Sequence, residues 1–472
     1  MKIKTDSNGF YFAVLLFLSL MTHFYAFGQP EQVVFDEVHF GKYVTSYCCT
    51  SKRIFDIHPP HGKILIAYTA RLSGYKGEQD FSKISNLFPT KNNRPLRFLP
   101  ALMGALLIPL MFVLMIQLNA SQTAALLAAL IVLFDTALLT QSRFVFLDSI
   151  LLACIFSSIS LAIWASQQRK RITNYVGFII AGGLAGIAVG TKFTGLVALA
   201  LPFFYAAYQI VKGKNITIAK QWLIAAMLFL FGFGVIYLLG WYIHFSQLNQ
   251  PGPGDIWGIL NGSFFEKLQQ IHITMFKANA NLTTPHHDAS MWFGWPFMHN
   301  PIYYWNGLGR KIYLIGNPVI WWGSILLLIS CVLTLGLMKA SNLQIMTYQP
   351  EQKEAKNKKK QKNVAELCQV APMLWFPLMG YFIAFLPLVL VSRPLFLYHY
   401  FTPLLLSIMV IIMWLDKIGW IKPSNLFQQR ASFYFVLALI FTGFILMSPL
   451  SYGLSQSVAI SDFIFSVIPK WR

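Results

Sequence analysis

The sequence predicts an all-α integral membrane protein, and its composition and its long apolar runs carry this prediction. Apolar residues make up 56% of the 472 positions, whereas charged residues make up only 11%. Soluble domains usually contain about 25% charged residues, so a soluble chain with a large apolar core would be exceptional. Long runs without a charged residue, such as 101–118, suit membrane-spanning helices, each of which needs roughly 20 mostly apolar residues.

Hydropathy divides the chain into eleven candidate spans. The first follows Lys2 and Lys4 and could be a signal peptide or an anchor; an anchor is expected because no convincing small-x-small cleavage site follows it. The predicted spans are 10–27, 96–117, 123–141, 144–165, 174–190, 194–211, 222–245, 317–338, 372–391, 396–415 and 433–449.

The net charge of +20 is better explained by membrane topology than by a nucleic-acid partner. Short cytoplasmic loops carry an excess of Lys and Arg. If the N-terminus is cytoplasmic, all the basic loop clusters fall on the inner side: Arg169 to Arg171, Lys212 to Lys220, Lys353 to Lys362, and Lys417 to Arg430. The long loops 28–95 and 246–316 then lie outside, as does the tail after Leu450.

These features divide the chain into three regions. A membrane region is expected over 1–338, a Lys-rich cytoplasmic linker over 339–371, and C-terminal spanning helices with a short outer tail over 372–472. The linker is expected to be solvated, with binding to anionic lipid head groups as the alternative.

The sequence predicts no metal site. The five cysteines lack metal-ligand spacing, and a bridge between the adjacent Cys48 and Cys49 is expected to be strained, so neither receives a role. The one dense group of metal-ligand residues, His286-His287-Asp288, is interpreted as a polar loop contact.

The first outer loop begins with two adjacent carboxylates, Asp36 and Glu37. One could accept a proton from an attacking hydroxyl while the other orients it; the alternative is that both cap a helix in a solvated loop. Further along, Pro59 and Pro60 can begin a helix that carries Lys63, and a phosphate would be favoured at its N-terminus. An ordinary surface helix with an apolar stripe is the alternative, the stripe being Ile64, Leu65, Tyr68 and Leu72.

Ionisable residues also occur near the outer ends of the spans. A charge in hydrocarbon costs at least about 2.5 kcal/mol and usually marks a partner or a function. Snorkelling to the interface is the alternative for each residue, but all of them point to the compartment that contains Asp36. They are Arg97, Asp135, Arg143, Asp148, Lys192 and Arg393.

Several sequence blocks, in this order, resemble the protein O-mannosyltransferases, which belong to the GT-C class of glycosyltransferases that use lipid-phosphate donors. The blocks are Asp36 to Lys42, His58 to Pro60 with Gly62 and Lys63, Ser142 to Ser149, Gly186 to Gly195, His244 to Asp255, Trp292 to Trp295, Tyr303 to Trp305, Gly316 to Pro318 with Trp321 and Trp322, and Arg393 with Leu397 to Tyr400.

The resemblance implies a GT-C fold with about eleven transmembrane helices and two large extracytoplasmic loops. It implies transfer of mannose from a polyprenyl or dolichyl phosphate to Ser or Thr hydroxyls of an exported protein near the translocon. Asp36 would accept the proton beside Glu37, and no cofactor is firmly implied; metal dependence and oligomeric state stay open, a dimer among the states considered. Substrate-binding roles are expected for His58, Lys63, Arg97, Arg143, Asp148, Lys192, Arg393, His399 and Tyr400.

The sequence departs from the familiar eukaryotic members in its second outer loop. Those members carry a three-repeat β-trefoil (MIR) domain there, whereas only a few residues separate Asp255 from Phe264 in this chain. The compact form favours a bacterial inner membrane over the endoplasmic reticulum. Two other functions stay open: a GT-C transferase with a lipid or glycan acceptor, and a transporter, although transport predicts charges near the bilayer midplane.

Overall fold

The computed structural model describes residues 5–168, 170–213, 216–307, 309–347, 374–421 and 427–467. Within these residues, nine helices are long and apolar enough to cross a membrane, and a helix pair bent by 59° provides a tenth candidate. The membrane helices are α1 (Thr5–Phe24), α4 (Thr90–Gln117), the bent pair α5 (Gln122–Leu133) and α6 (Thr136–Ser142), α7 (Asp148–Ser166), α8 (Arg171–Val189), α9 (Val197–Gly213), α10 (Ile216–Gln247), α12 (Pro318–Thr347), the shorter apolar α13 (Leu374–Val389), α14 (Phe401–Lys417) and α15 (Phe427–Tyr452).

The outer loops form their own small elements. They contain helices α2 (Glu37–Thr45), α3 (His61–Leu72) and α11 (Phe264–Asn281), and an antiparallel hairpin of β1 (Ile302–Gly307) and β2 (Arg310–Leu314). The last described element is α16 (Val458–Val467). Its Phe465 packs against Tyr313 of β2, so the predicted outer tail contains a helix that covers the hairpin.

Each of the eleven predicted spans contains a helix, but not every span is a single helix from end to end. The span predicted at 123–141 breaks at Asp135, which caps α6 by accepting the Leu138 N–H at 2.9 Å and also accepts the Trp321 indole N–H at 2.6 Å. Asp135 is therefore a buried structural cap and not a snorkelling surface residue. The span predicted at 144–165 begins only at Asp148, after four non-helical residues.

The predicted Lys-rich linker begins with helical residues. Helix α12 continues to Thr347, so residues 339–347, expected in the linker, are helical. The rest of the predicted linker lies outside the described residues, as do the predicted inner positions Arg169, Lys214 and Lys422.

Helices α8 and α10 approach each other closely because α8 presents glycines at the contact. A Cβ atom on Gly182 would collide with the carbonyl of Phe229, and one on Gly186 would lie 2.8 Å from the carbonyl of Phe233. Small residues four positions apart allow such close packing of membrane helices. This pair supports the first outer loop, because both helices hold the same histidine of α3.

That histidine is His61, the first residue of α3. Its backbone N–H donates to the Gly190 carbonyl at 2.8 Å, and its two ring nitrogens lie 3.0 Å from the carbonyl oxygens of Gly190 and Ile236. These contacts fix the start of α3 at the C-terminal end of α8 and against the second half of α10. The loop that carries His58 and Lys63 is thereby placed beside Lys192, which follows α8.

The buried face of α3 differs from the predicted stripe. Ile64 and Ala67 are buried as part of a face with Ile66 and Ala70, whereas Tyr68 is 40% exposed and Leu72 is 88% exposed. Packing against α4 and other loop segments buries this side of the helix. In α11, Ile271 and Met275 pack with Trp241 of α10.

Cys48 and Cys49, which received no role from the sequence, are joined by a disulfide in this structure. They lie in a short π-helix, Ser46–Thr50, that continues α2. Cys154 and Cys331 are free and buried.

Candidate active site

A cavity of about 950 Å³ lies between the outer loops and the ends of several membrane helices. Its walls are mainly apolar, and its polar residues include His58, Asp148, Lys192, Arg393 and His399. The apolar lining includes Leu151, Leu152, Val197, Ile273, Phe276, Leu388, Leu390 and Val391. A smaller cavity of about 230 Å³, lined by the ion pair of Arg53 and Asp255, shares no lining residue with it.

Lys192 and Asp148 form an ion pair in the lining of the large cavity. The Lys192 Nζ lies 2.7 Å from the Asp148 Oδ1 and 4.9 Å from the ring centroid of Tyr398. The other Asp148 oxygen accepts a hydrogen bond of 2.7 Å from Gln141 Nε2. Lys192 therefore presents its charge at the cavity from a fixed position.

Arg393 and His399 complete this part of the lining. Arg393 follows α13 and is half-buried, and the described residues provide no ion pair or hydrogen bond to its guanidinium. Burial lowers the pKa of Arg393, while Tyr398 and Asp56 act in the opposite direction. His399 stacks on Trp295 at a centroid distance of 6.0 Å.

Lys63 does not line the cavity, because Asp56 holds it. The Lys63 ammonium pairs with the Asp56 carboxylate and donates to the His58 carbonyl at 2.8 Å, and the side chain is 2% exposed. The second Asp56 oxygen lies 3.1 Å from the His58 Nδ1. Burial acts to raise the pKa of Asp56, but the nearby charges of Lys63 and His58 hold this pKa well below its usual range. Lys63 thus anchors Asp56, and His58 alone of this group reaches the cavity.

Asp36 lies at the N-terminus of α2 and is half-buried. The described residues contribute no hydrogen bond to its carboxylate. Burial raises the pKa of Asp36 to about 7; Lys192 acts to lower it, and the charges of Asp148 and Asp56 add to the rise. Asp36 does not itself line the cavity, but Phe40, one turn further along α2, packs against the cavity residue His58 with ring centroids 6.0 Å apart, so α2 begins near the polar end.

Glu37, the predicted partner of Asp36, faces the other way and is fully buried. Arg97 binds it through two bonds, Nε to Oε1 at 2.8 Å and Nη2 to Oε2 at 2.7 Å. The Glu37 carboxylate also accepts the backbone N–H groups of Val34 and Val145 at 2.9 and 3.0 Å. A carboxylate with four donors has no free site for a substrate hydroxyl, so Glu37 positions the loop that carries Asp36.

Arg97 cannot bind a substrate in this arrangement, contrary to the prediction. Its side chain is 0% exposed, and it lies between the rings of Phe88 and Phe144 at 5.1 and 5.0 Å. Its remaining N–H groups donate to the carbonyls of Pro30 and Gln32, each at 2.9 Å. Every donor faces protein, so Arg97 joins α4 to the first outer loop.

Arg143 and Tyr400 are also structural in this fold. Arg143 donates to the carbonyls of His23, Tyr25 and Ala26 at 3.0, 2.8 and 3.1 Å, so it satisfies the C-terminal end of α1. Tyr400 is buried against Trp321, and neither residue lines the cavity. The substrate-binding roles predicted for them are therefore not supported by their positions.

Sequence reasoning missed four residues that the fold brings to this site. Asp56 lies two residues before a block that resembles the family, and its spacing from His58 and Lys63 was a usable signal. Gln141 and Tyr304 are neutral residues far apart in sequence, and only the tertiary structure brings them together. Lys277 on α11 lines the cavity, but an isolated lysine in a loop carries no signal.

The described part of the chain contains no cluster of side chains that could hold a metal ion. No three His, Cys, Asp or Glu side chains converge there. The predicted loop contact is present, because His287 Nδ1 lies 3.2 Å from Asp288 Oδ1.

Comparison with known proteins gives the family. The family model described as dolichyl-phosphate-mannose-protein mannosyltransferase matches residues 13–249, and the model of the C-terminal four-helix membrane region of protein O-mannosyltransferase matches residues 264–463. The chain belongs to the protein O-mannosyltransferase family. Protein O-mannosyltransferase 1 of Drosophila melanogaster is 35% identical over 254 residues, which cover 51% of this chain and 28% of the fly protein.

Other members of the protein O-mannosyltransferase family are also longer than this chain. Dolichyl-phosphate-mannose–protein mannosyltransferase 4 of Saccharomyces cerevisiae is 30% identical over 297 residues, which cover 59% of this chain and 39% of the yeast protein. This chain thus spans well under half the length of these curated relatives.

Solved structures confirm the GT-C fold. The S. cerevisiae Pmt1-Pmt2 complex bound to the sugar donor matches with a TM-score of 0.86 at 17% identity, over 98% of this chain and 92% of the yeast chain. The oligosaccharyltransferase AglB of Archaeoglobus fulgidus matches with a TM-score of 0.52 at 12% identity, over 96% of this chain and 57% of the archaeal chain.

Proposed function

We propose that this chain transfers mannose from a polyprenyl or dolichyl phosphate to Ser or Thr hydroxyls of exported proteins. The observation that carries this proposal is the Asp36 carboxylate, which has no hydrogen-bond partner among the described residues and lies beside a large cavity with cations in its wall. The family of the chain supports the choice of donor and acceptor.

The cavity suits a lipid phosphate because it combines two kinds of surface. Lys192 and Arg393 supply positive charge for the phosphate, and the leucine and phenylalanine side chains of the wall suit a prenyl chain. Arg393 is the stronger candidate for direct contact, because Lys192 already neutralises Asp148. The related yeast complex, by its description, was solved with the sugar donor bound.

The chemistry requires one proton transfer and one displacement. The acceptor oxygen attacks C1 of the sugar from the face opposite the phosphate, the bond from C1 to the phosphate oxygen breaks, and the configuration inverts. The hydroxyl proton passes to Asp36 as the new bond forms, because a carboxylate is too weak a base to ionise an alcohol beforehand. The phosphate leaves as an anion that fixed Lys and Arg charges stabilise.

This reaction would occur on the extracytoplasmic side of the membrane. The Lys and Arg clusters predict that both long loops lie there, and the first loop carries Asp36. The membrane would be the bacterial inner membrane or the endoplasmic reticulum. A dimer is a further proposal, since the related yeast structure is a complex of two family members.

The proposed function can be tested with membranes that contain the chain, radiolabelled polyprenyl-phosphate mannose and a Ser/Thr-rich peptide. We expect label in the peptide and none in a matched peptide with Ala at every Ser and Thr. Label found in lipid or glycan and not in the peptide would contradict a protein acceptor and favour the alternative function, transfer to a lipid or glycan. No transfer from any hexose donor would contradict the enzymatic function.

Replacing Arg393 with Gln should weaken use of the donor. A charged hydrogen bond contributes about 1.5–3 kcal/mol, so we expect kcat/KM for the lipid donor to fall by about 10- to 100-fold. Arg310→Gln is the matched control, because Arg310 is exposed at the hairpin turn away from the cavity lining. Equal activity of the two variants would remove Arg393 from the donor site.

Transfer should also depend on pH through Asp36. The base must be ionised, and its pKa is raised to about 7, so kcat/KM should rise with pH and level off above about 7. Below that value the rate should fall about tenfold per pH unit. The raised pKa also means that the folded state favours protonated Asp36 more than the unfolded state does. Asp36 should therefore stabilise the folded chain at low pH, and this stabilisation should be lost as the pH rises from 3.8 to about 7. A rate that is constant between pH 5 and 8, as measured in the transfer assay, would contradict the assignment of Asp36.

A further inference from the structure

The hairpin of the second outer loop contains a β-bulge at Tyr304. Tyr303 pairs with Tyr313 and Trp305 pairs with Ile312, so Tyr304 has no partner of its own in the ladder. The alternation of burial breaks at the same point, because Tyr304 and Trp305 are both buried. A bulge re-aims a side chain, and here it turns the Tyr304 ring toward the first outer loop.

The ring of Tyr304 stacks on Phe35, the residue before Asp36. The two ring centroids are 4.7 Å apart with an interplanar angle of 9°, and the Phe35 N–H donates to the Tyr304 carbonyl at 3.2 Å. Phe35 has a φ of +38°, a left-handed backbone conformation that persists only where the surroundings enforce it. The contact with Tyr304 therefore holds the backbone that leads into Asp36.

The hydroxyl of Tyr304 makes a separate contact, with Gln141. It donates to Gln141 Oε1, and Gln141 Nε2 donates to Asp148 Oδ2 at 2.7 Å. The other oxygen of Asp148 pairs with Lys192 at 2.7 Å. A continuous buried chain of polar groups thus joins the proposed phosphate-binding lysine to the ring that supports the proposed base.

We infer that Tyr304 and Gln141 are positioning residues that hold Asp36 in a fixed place relative to Lys192. The inference rests on the proposed function, in which Asp36 takes the acceptor proton and Lys192 faces the donor phosphate. Neither residue touches the reacting atoms; each acts through a neighbour. Because Tyr304 lies in the second outer loop and Asp36 in the first, this contact makes both loops part of one site.

An ordinary core role would not require the Tyr304 hydroxyl. A buried hydroxyl has to be hydrogen-bonded, and a phenylalanine would fill the same space without that requirement. The alternation of the strand predicts one exposed and one buried tyrosine, but it does not predict the bond to Gln141. The neighbouring Tyr303, 38% exposed and packed on Tyr313, is therefore a matched control.

The test compares Tyr304→Phe with Tyr303→Phe in the purified full-length chain. Infrared spectroscopy can follow the protonated carboxyl band of Asp36, assigned by its loss in Asp36→Asn, as the pH is varied. In Tyr304→Phe, Asp36 should become more hydrated, and its titration midpoint should fall by about half a pH unit because burial is the main cause of its raised pKa. In the mannose transfer assay, kcat should fall about tenfold with an unchanged KM for the donor.

A second variant, Gln141→Met, breaks the same bond from the other side. It should shift the midpoint in the same direction, and the double variant should be no worse than the more impaired single one. A midpoint that stays at the wild-type value in Tyr304→Phe would overturn the inference, and so would a kcat within twofold of Tyr303→Phe. If the wild-type chain transfers no mannose but the midpoint still moves, the proposed function fails and the positioning of Asp36 by Tyr304 stands.

Discussion

Replacing Asp36 with Asn should lower the rate of mannose transfer by about 10²- to 10⁴-fold, the contribution expected of a positioned general base. The substitution preserves the size of the side chain and removes only its ability to take a proton. The donor cavity keeps its lining, because Asp36 is not part of it. We therefore expect kcat to fall while the KM for the lipid donor changes little, as measured with labelled polyprenyl-phosphate mannose and a Ser/Thr peptide.

Glu78→Gln is the matched control for this experiment. Glu78 is an exposed acid in the same outer loop, so its neutralisation changes the charge of the loop without touching the site. We expect it to retain wild-type transfer. Transfer by Asp36→Asn within twofold of this control would remove Asp36 from the role of base.

Replacing Arg97 with Met should destabilise the folded chain by about 3–5 kcal/mol, the usual effect of removing one partner from a buried ion pair. The Glu37 carboxylate would stay buried, and its charge would have no cationic partner. The fraction of folded protein in denaturant titrations of the purified chain should fall accordingly. The molecules that remain folded should keep a normal KM for the donor, because Arg97 does not face the cavity.

The double variant Glu37→Gln with Arg97→Met provides the control. Removing the charge from both partners takes away the unpaired carboxylate, so the double variant should be less destabilised than the sum of the two single variants. A normal unfolding free energy for Arg97→Met together with a raised KM would contradict the structural role. It would restore the predicted contact between Arg97 and the substrate.

Most membrane helices could be predicted because the physical signal is local. Twenty apolar residues in a row suit a bilayer whatever their neighbours are, and each of the eleven predicted spans contains a helix. The failures occur where tertiary contacts interrupt the run. The span that contains Asp135 breaks where this residue caps α6 and accepts a hydrogen bond from Trp321, nearly two hundred residues away.

The candidate site was predicted in part. Lys192 and Asp148 could be singled out because charges at the ends of apolar runs are costly and few, and the fold brings them together as an ion pair. Arg97 and Arg143 carried the same signal, yet they bind backbone carbonyls and Glu37. Sequence alone does not separate a buried structural arginine from one that faces a ligand, because both pay the same desolvation cost.

The sequence by itself determined that this chain is a multi-pass membrane protein and that it resembles protein O-mannosyltransferases. Composition, hydropathy and motif order are properties of the chain that folding does not change. Only the tertiary structure decided which member of the Asp36-Glu37 pair is free. Adjacent side chains at the start of a helix point in different directions, so Glu37 turns into the protein toward Arg97 and Asp36 lies beside Lys192.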